Sequence, residues 1–525
     1  MKTIIGLDLG NCYSFPCYIA NGDVRSDRLA GNPIDLLPAD RHYGYPSVFF
    51  YSQQAAEQAI RRNLNPPPWY CEEAVSARAT PTVNRITNLK LKLTQTYRLD
   101  DLEGSYDDAI VGLIQHVIRK ANKILKQNTG ETSNEVALAY PVRFMRSTCE
   151  YLKNLAEKAT LEDGTPIKIV GMITEPAAAA LNYLSEKGQQ VDTTVMVYDL
   201  GGGTLDLAVV SLYPGGRRDP NNRLYYYDIE DQGYRNIGGT QFDERMKELI
   251  YRKVPEGQIV SPNEIAIAAV EAKHALSYDT YTEFSLMALK DSKHPGEYIH
   301  IEISREEFEA CTQDILMDTV AAAKDIMYNS KLKNKPDIIV LTGGSCLMPM
   351  VENALRKAFP EYAARDAICI YKPSRAVAHG TARYGLDCDY RGADGGVVLQ
   401  KTLRDIGIEY VDGATGRNFV EVLLPAGTPL PFESHWDSSF TRYEGSTSSV
   451  FPVMEAHTGT PDITKPRTDF VNILNVTLSY KPCPANTEHH LKLVLDNDGL
   501  LSVIARNAKD PNINVEGHCT LKSIG

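Results

Sequence analysis

TTVMVYDLGGGTLDLAV, residues Thr193–Val209, runs from an apolar β-branched segment into a carboxylate, three consecutive glycines and a second apolar segment. Val195 and Val197, with Met196 and Tyr198 around them, have the composition of a buried strand. Asp199 stands at its end. Glycines there let the backbone turn sharply and bring N–H groups close to an anion, while a strand-end carboxylate can hold Mg²⁺ through water. Thr204 adds a hydroxyl and Asp206 a second carboxylate beside the same turn. A phosphate site and an ordinary tight hairpin with an aspartate in its turn both fit this stretch taken by itself.

Repetition favours the phosphate site. Ile4–Gly10, IIGLDLG, is again an apolar run ending in Asp and Gly, with Asp8 where VYDLGGG has Asp199. Two copies indicate a duplicated fold with a nucleotide between its halves. A third strand-to-glycine passage, Ile338–Ser345 (IIVLTGGS), offers a backbone surface for the rest of the nucleotide. None of the three is a GxxxxGK[ST] loop, which argues against a P-loop NTPase.

Further matching passages are the Pro141 region, ITEPAAAAL (Ile173–Leu181), IGGTQFD (Ile237–Asp243), LTGGSCLMPMVENAL (Leu341–Leu355) and AVAHGTARYG (Ala376–Gly385). With them the chain resembles the actin-like ATPases and, within these, the seventy-kilodalton heat-shock (DnaK-type) chaperones. The resemblance spans residues 1 to 386 in order. It implies a two-lobed α/β actin-like ATPase domain with ribonuclease H-like duplicated halves over 1–386. A linker at 387–400 and an all-β sandwich at 401–525 would follow.

The resemblance also implies site roles. Asp8, Asp199 and Asp206 would arrange Mg²⁺ and water, while Glu175 and Lys90 would orient the nucleophile, with Lys92 in NLKLKL as the alternate lysine. Gly10, Asn11 and Cys12, Gly201–Gly203 with Thr204, and Gly238–Gly239 would hold phosphate oxygens. Lys273, Ser277, Gly343, Gly344 and Ser345 would line the nucleoside end. ATP or ADP with Mg²⁺ is the implied cofactor, with potassium as an accessory cation. An unfolded peptide or client protein, co-chaperones and a nucleotide-exchange factor are the implied partners.

Several positions depart from the family pattern. Asn11, Cys12 and Tyr13 stand where a hydroxyl-rich pair and an asparagine are expected, and a thiol is a weak donor. Cys149 falls where the family has an arginine that relays nucleotide state. Val270, His274 and Leu347 replace a glutamate and two arginines near the base. The alternative function is therefore a nucleotide-gated interaction protein with little hydrolysis.

Composition sets bounds on the rest. At 525 residues the chain is too long for one core and suggests roughly two to four domains. A net charge of -12 argues against nucleic acid as the main partner, because that binding rests on clustered Lys and Arg. No signal-type apolar segment precedes Asp8 and no run of about 18 apolar residues occurs, so a cytoplasmic location without membrane contact is expected. The 10 cysteines lack CxxC spacing, as reduced thiols would.

Between the motifs, Ile110, Ile114, Val117, Ala121, Ile124 and Leu125 fall on one helical face, with Ser105 and Asp108 as a capping signal. Strands at Glu135–Tyr140 and Ile167–Ile173 alternate with helices near Arg146–Lys158 and from Pro176, which predicts partly parallel sheets. Asn65–Trp69, NPPPW, reads as a stiffened loop. Asp387–Gly396 is polar and glycine-rich like a linker, and Val397–Leu399 is either a docking linker segment or the next domain's first strand. Beyond it, Leu491–Arg506 reads as a hairpin about an Asp496–Gly499 turn. Phe470–Tyr480 and Phe419–Leu424 also alternate as strands. Phe419, Val420 and Val450 are candidates for contact with an extended peptide, and equally for core. No amphipathic helical pattern appears after Asn507, so the expectation is a chain without the family's helical lid.

Overall fold

The computed structural model describes residues 2–20, 32–38, 44–51, 53–61, 68–71, 84–86, 88–99, 102–142, 144, 146–187, 191–218, 224–328, 332, 334–391, 402, 404–411, 416, 418–428, 432–456, 470–496 and 500–521. It is mixed α/β with several sheets. No helix among the described residues is long and apolar enough to cross a membrane. Asn65, Pro66 and Pro67 of NPPPW lie outside the described residues.

Two of the sheets share one plan. In the first, the strand Thr3–Leu9 pairs antiparallel with Tyr13–Ala20 on one side and parallel with Glu135–Tyr140 on the other, and Lys168–Thr174 extends the parallel side. In the second, Thr193–Leu200 pairs antiparallel with Leu205–Arg218 and parallel with Ile338–Thr342, which Ile368–Ile370 extends. Each central strand is therefore joined by a hairpin on one side and flanked by parallel neighbours on the other. This is the repeat implied by the two Asp-Gly passages. Central strands covered on both faces need continuous apolar runs, and all of Thr194–Leu200 is buried.

Helices cover these sheets as the periodicities predict. Tyr106–Thr129 is capped by Ser105, whose hydroxyl accepts from the Asp108 N–H, and it buries Ile110, Ile114, Val117, Ala121 and Leu125. Glu175–Glu186 packs against Ala376–Arg391 at very close range. A Cβ on Gly380 would lie 1.8 Å from the Ala178 carbonyl oxygen, so only glycine permits this crossing.

That last helix runs on past the residue at which the sequence reading places the linker. Asp387–Arg391, which sequence assigns to the linker, continues the helix from Ala376, and Leu386 and Asp387 are buried. The reason is local: no glycine or proline interrupts the chain between Leu386 and Gly392. Residues 392–400, including Val397–Leu399, lie outside the described residues.

The C-terminal part contains two antiparallel sheets. One orders Asn418–Leu424, Ile406–Val411, Ser446–Ala456 and Phe470–Cys483; the other centres on the expected hairpin, Glu488–Leu495 with Leu500–Asn507. Ile406, Ile408, Phe451 and Val453 from the first and Leu491, Leu493, Val503 and Ala505 from the second form one core. His489 shares that interior. Its ring is fully buried, stacks on Tyr480 at 4.6 Å, and has no hydrogen-bond partner at either nitrogen among the described residues. Burial, aided by His490, holds its pKa below the ordinary imidazole value.

Candidate functional site

The two Asp-Gly turns are equivalent by register. Leu9 pairs with Ser14 across Gly10–Tyr13, and Leu200 pairs with Leu205 across Gly201–Thr204. One residue further from each turn, Asp8 faces Phe15 and Asp199 faces Asp206. The second turn is closed by the Gly201 N–H donating to the Thr204 carbonyl at 3.0 Å. Onto it is laced the IGGTQFD loop, whose Gly239 and Thr240 N–H groups donate to the carbonyls of Gly201 (2.9 Å) and Gly202 (2.8 Å). The third glycine passage also reaches this turn, through a Ser345 hydroxyl that donates to the Gly201 carbonyl at 2.9 Å. Gly343 has φ 82° and a Cβ there would sit 2.5 Å from Asp199 Oδ1, so the close approach demands glycine.

Lys90 is the lysine that enters the site. It is 3% exposed and its ammonium pairs with Glu175 Oε1, at the first position of the Glu175–Glu186 helix. Lys92 instead lies over the Tyr106 ring at 5.0 Å and takes no part. Asp206 accepts a hydrogen bond from the Val142 N–H at 3.1 Å, which ties the Pro141 strand end to the second turn.

The charge balance here is unequal. Asp8, Asp199, Asp206 and Glu175 share an interior in which Lys90 is the nearby cation. Burial, then Glu175, pushes the carboxyls of Asp8 and Asp206 up to about 7, and Asp199 is raised well above its ordinary value by burial, Glu175 and its two aspartate neighbours. Buried carboxylates in excess of cations favour a further positive charge. Buried carboxylate oxygens are the donor type that Mg²⁺ takes, and they fit that ion held through water.

Asp8, Lys90, Glu175 and Asp199 line a cleft of about 480 Å³, within the size range of small-molecule sites. Of the residues expected from sequence, Asp8, Gly10, Asn11, Cys12, Lys90, Glu175, Asp199, Gly201, Gly202, Thr204, Gly239, Lys273, Ser277, Gly343, Gly344 and Ser345 line it. Gly203, Gly238 and Asp206 stand behind the wall. Gly203 and Gly238 form a backbone contact: a Cβ on Gly238 would meet the Gly203 nitrogen at 2.6 Å.

Among the lining residues that escape a reading of the sequence are Asp243 and Asn88. Asp243 pairs with Lys273 at 2.7 Å, and Lys273 also donates to the Gly239 carbonyl at 3.1 Å. The signal for Asp243 is its spacing of four from Gly239 on a helix. Asn88 enters on a left-handed backbone, which no periodicity announces. Away from the carboxylates the wall turns apolar with Val270, Leu347 and Met348, joined by His274 and Tyr278. Burial and then Lys273 lower the His274 pKa, which favours a neutral ring.

In the first turn, side chains press on the second. A Cβ on Gly202 would fall 2.2 Å from Cys12 Sγ, and one on Gly203 would fall 3.1 Å from Asn11 Nδ2. Burial pushes the Cys12 thiol above its ordinary pKa, with Lys273 opposing. Cys149 is buried in the Arg146–Ala156 helix.

The three candidate peptide contacts do not share a surface. Phe419 registers with Tyr410 and stacks on it at 5.9 Å, whereas Val420 registers with Glu409, on the opposite face of the sheet. Val450 alternates with the core residue Phe451 and so lies on the Val420 face, 55% exposed. A one-residue step along a strand changes face, and composition cannot reveal it.

Comparison with known families gives a match to the family described as Hsp70 protein, over residues 112–521. The match takes in both the second Asp-Gly turn with its glycine partners and the paired C-terminal sheets, well over half of the chain. By that extent and by the site it contains, the chain belongs to the Hsp70 family.

Proposed function

We propose that this chain is an ATPase that couples nucleotide state to the binding of an unfolded peptide or client protein. Members of the family are generally ATP-dependent chaperones. The observation that carries the reading is the buried Lys90–Glu175 pair set among Asp8, Asp199 and Asp206 in a cleft that the glycine turns also line. In this reading the two similar sheets are the halves of a two-lobed actin-like domain with the cleft between them. That domain ends after the Ala376–Arg391 helix, and the β-sandwich begins near residue 401.

Mg²⁺, when bound, neutralises phosphate charge and fixes the phosphates for in-line attack. Asp8 and Asp199 would hold it through water, with Asp206 steadying the second turn. Lys90 fixes the Glu175 carboxylate so that its free oxygen accepts from a water aimed at the terminal phosphate. The glycine amides and Thr204 stabilise charge on the phosphate oxygens. Lys273 reaches the β-phosphate side or ribose, and the apolar wall by Val270 and Leu347 receives the base. Potassium is an accessory cation, and co-chaperones and an exchange factor act on the cycle. The compartment proposed is the cytoplasm.

A second reading is a nucleotide-gated binding protein with little turnover, and Cys12 in the first turn favours it. Single-turnover hydrolysis with Mg²⁺, with and without an unfolded apolar peptide, separates the two. Turnover accelerated by peptide supports the chaperone ATPase, and tight ATP binding without turnover supports the gated binder. Failure to bind ATP overturns both.

A further inference from the structure

Asn88 has two properties that ordinary packing does not explain. Its backbone is left-handed, φ 56° and ψ 38°, a conformation that asparagine tolerates better than most residues. From there the chain enters the short 3₁₀ turn Leu89–Lys92, which delivers Lys90 to Glu175. Its side chain lines the cleft, and its Oδ1 is buried without a hydrogen-bond partner among the described residues. Asn11 Oδ1, in the first turn, is in the same condition.

Buried amide oxygens without a donor are rare in native proteins, and an explanation is due for each one. An amide oxygen only accepts. The anionic oxygens of a nucleotide's phosphates also only accept, so they cannot satisfy Asn88. The missing donor is water or a ligand hydroxyl. Asn88 lies two residues from Lys90, whose ammonium sits on Glu175, and this places it at the carboxylate end of the cleft. Water is the donor available there.

We infer that Asn88 is a positioning residue for hydrolysis, its Oδ1 accepting from a water held at the phosphate end of the cleft. The inference rests on the ATPase reading above. It adds a group next in the chain to the turn that carries Lys90, with the left-handed backbone as the device that aims the amide into the cleft.

The test uses the full chain and three variants. Asn88→Gly keeps a backbone that accepts positive φ and removes the amide. Asn88→Asp keeps an accepting oxygen. Lys90→Ala serves as the control for the underlying reading. Asn88→Gly should lower the single-turnover rate about 10- to 100-fold while ATP affinity stays within about threefold, the signature of lost positioning. Asn88→Asp should recover at least about a fifth of the lost rate.

A rate within about twofold of wild type in Asn88→Gly, alongside a large loss in Lys90→Ala, overturns the inference and leaves the ATPase reading standing. Asn88→Asp slower than Asn88→Gly also overturns it, because that result shows the amide donating to phosphate. No loss in Lys90→Ala, or no hydrolysis by the wild type, defeats the ATPase reading and the inference with it.

Discussion

The two Asp-Gly turns have the same register and opposite chemistry. Gly201–Thr204 presents three glycines and a hydroxyl, so its backbone is bare, whereas Gly10–Tyr13 presents the side chains of Asn11, Cys12 and Tyr13. The contrast is complementary. The Cys12 sulfur and the Asn11 amide occupy the volume that Cβ atoms on Gly202 and Gly203 would fill. Besides the phosphate contact proposed for it, the glycine run admits the first turn. Of two turns of the same register, one is the socket and the other the plug.

The largest expected effect tests whether the two copies are equal in chemistry. Asp199→Asn should lower Mg²⁺-dependent single-turnover hydrolysis about 100- to 1000-fold with the fold intact by circular dichroism, and Asp8→Asn should fall within about tenfold of it. Loss at Asp199 alone would reduce the resemblance of the turns to architecture.

Next in size is the interlock. Gly202→Ala should cost about 1–3 kcal/mol of stability and weaken ATP binding about tenfold, because the new methyl meets Cys12 Sγ and the neighbouring backbone is pinned. Adding Cys12→Ala should return about half of that loss, since the Cys12 Cβ still stands 3.1 Å from where the new methyl carbon falls. A double variant no better than the single one breaks the plug-and-socket description.

The smallest effect sharpens it. Cys12→Ser exchanges a weak donor for a good one without altering the fit, and should raise single-turnover hydrolysis about threefold. An unchanged rate would mean that the first turn contributes shape rather than hydrogen bonds.

Sequence reveals most of the cleft because its parts are local. A strand, an aspartate and a glycine form a contiguous word, and Asp8, Asp199, Gly343 and Ser345 all lie in such words. Ser105 capping the Tyr106–Thr129 helix is legible for the same reason. Choices between neighbours are harder, because packing makes them. Lys90 and Lys92 share a short apolar stretch, and only the turn Leu89–Lys92 decides which one reaches Glu175 and which lies on Tyr106. Phe419 and Val420 are separated by strand register, which depends on a partner strand. The end of the Ala376–Arg391 helix is hidden because its polar composition resembles a linker where no helix breaker yet stands.

His489 gives the C-terminal sheets a vulnerability to acid. An imidazole held below its unfolded pKa of about 6.5 takes up a proton more readily in the unfolded chain. The stability it permits is therefore complete above that pH and declines as the pH falls through it. Between pH values of about 7.5 and 5.5, which bracket that pKa, the unfolding midpoint of these sheets should drop, and His489→Phe, which keeps an aromatic ring against Tyr480, should flatten the drop. Mild acidification would then loosen the sheets proposed to hold a client, a way to empty them without spending nucleotide.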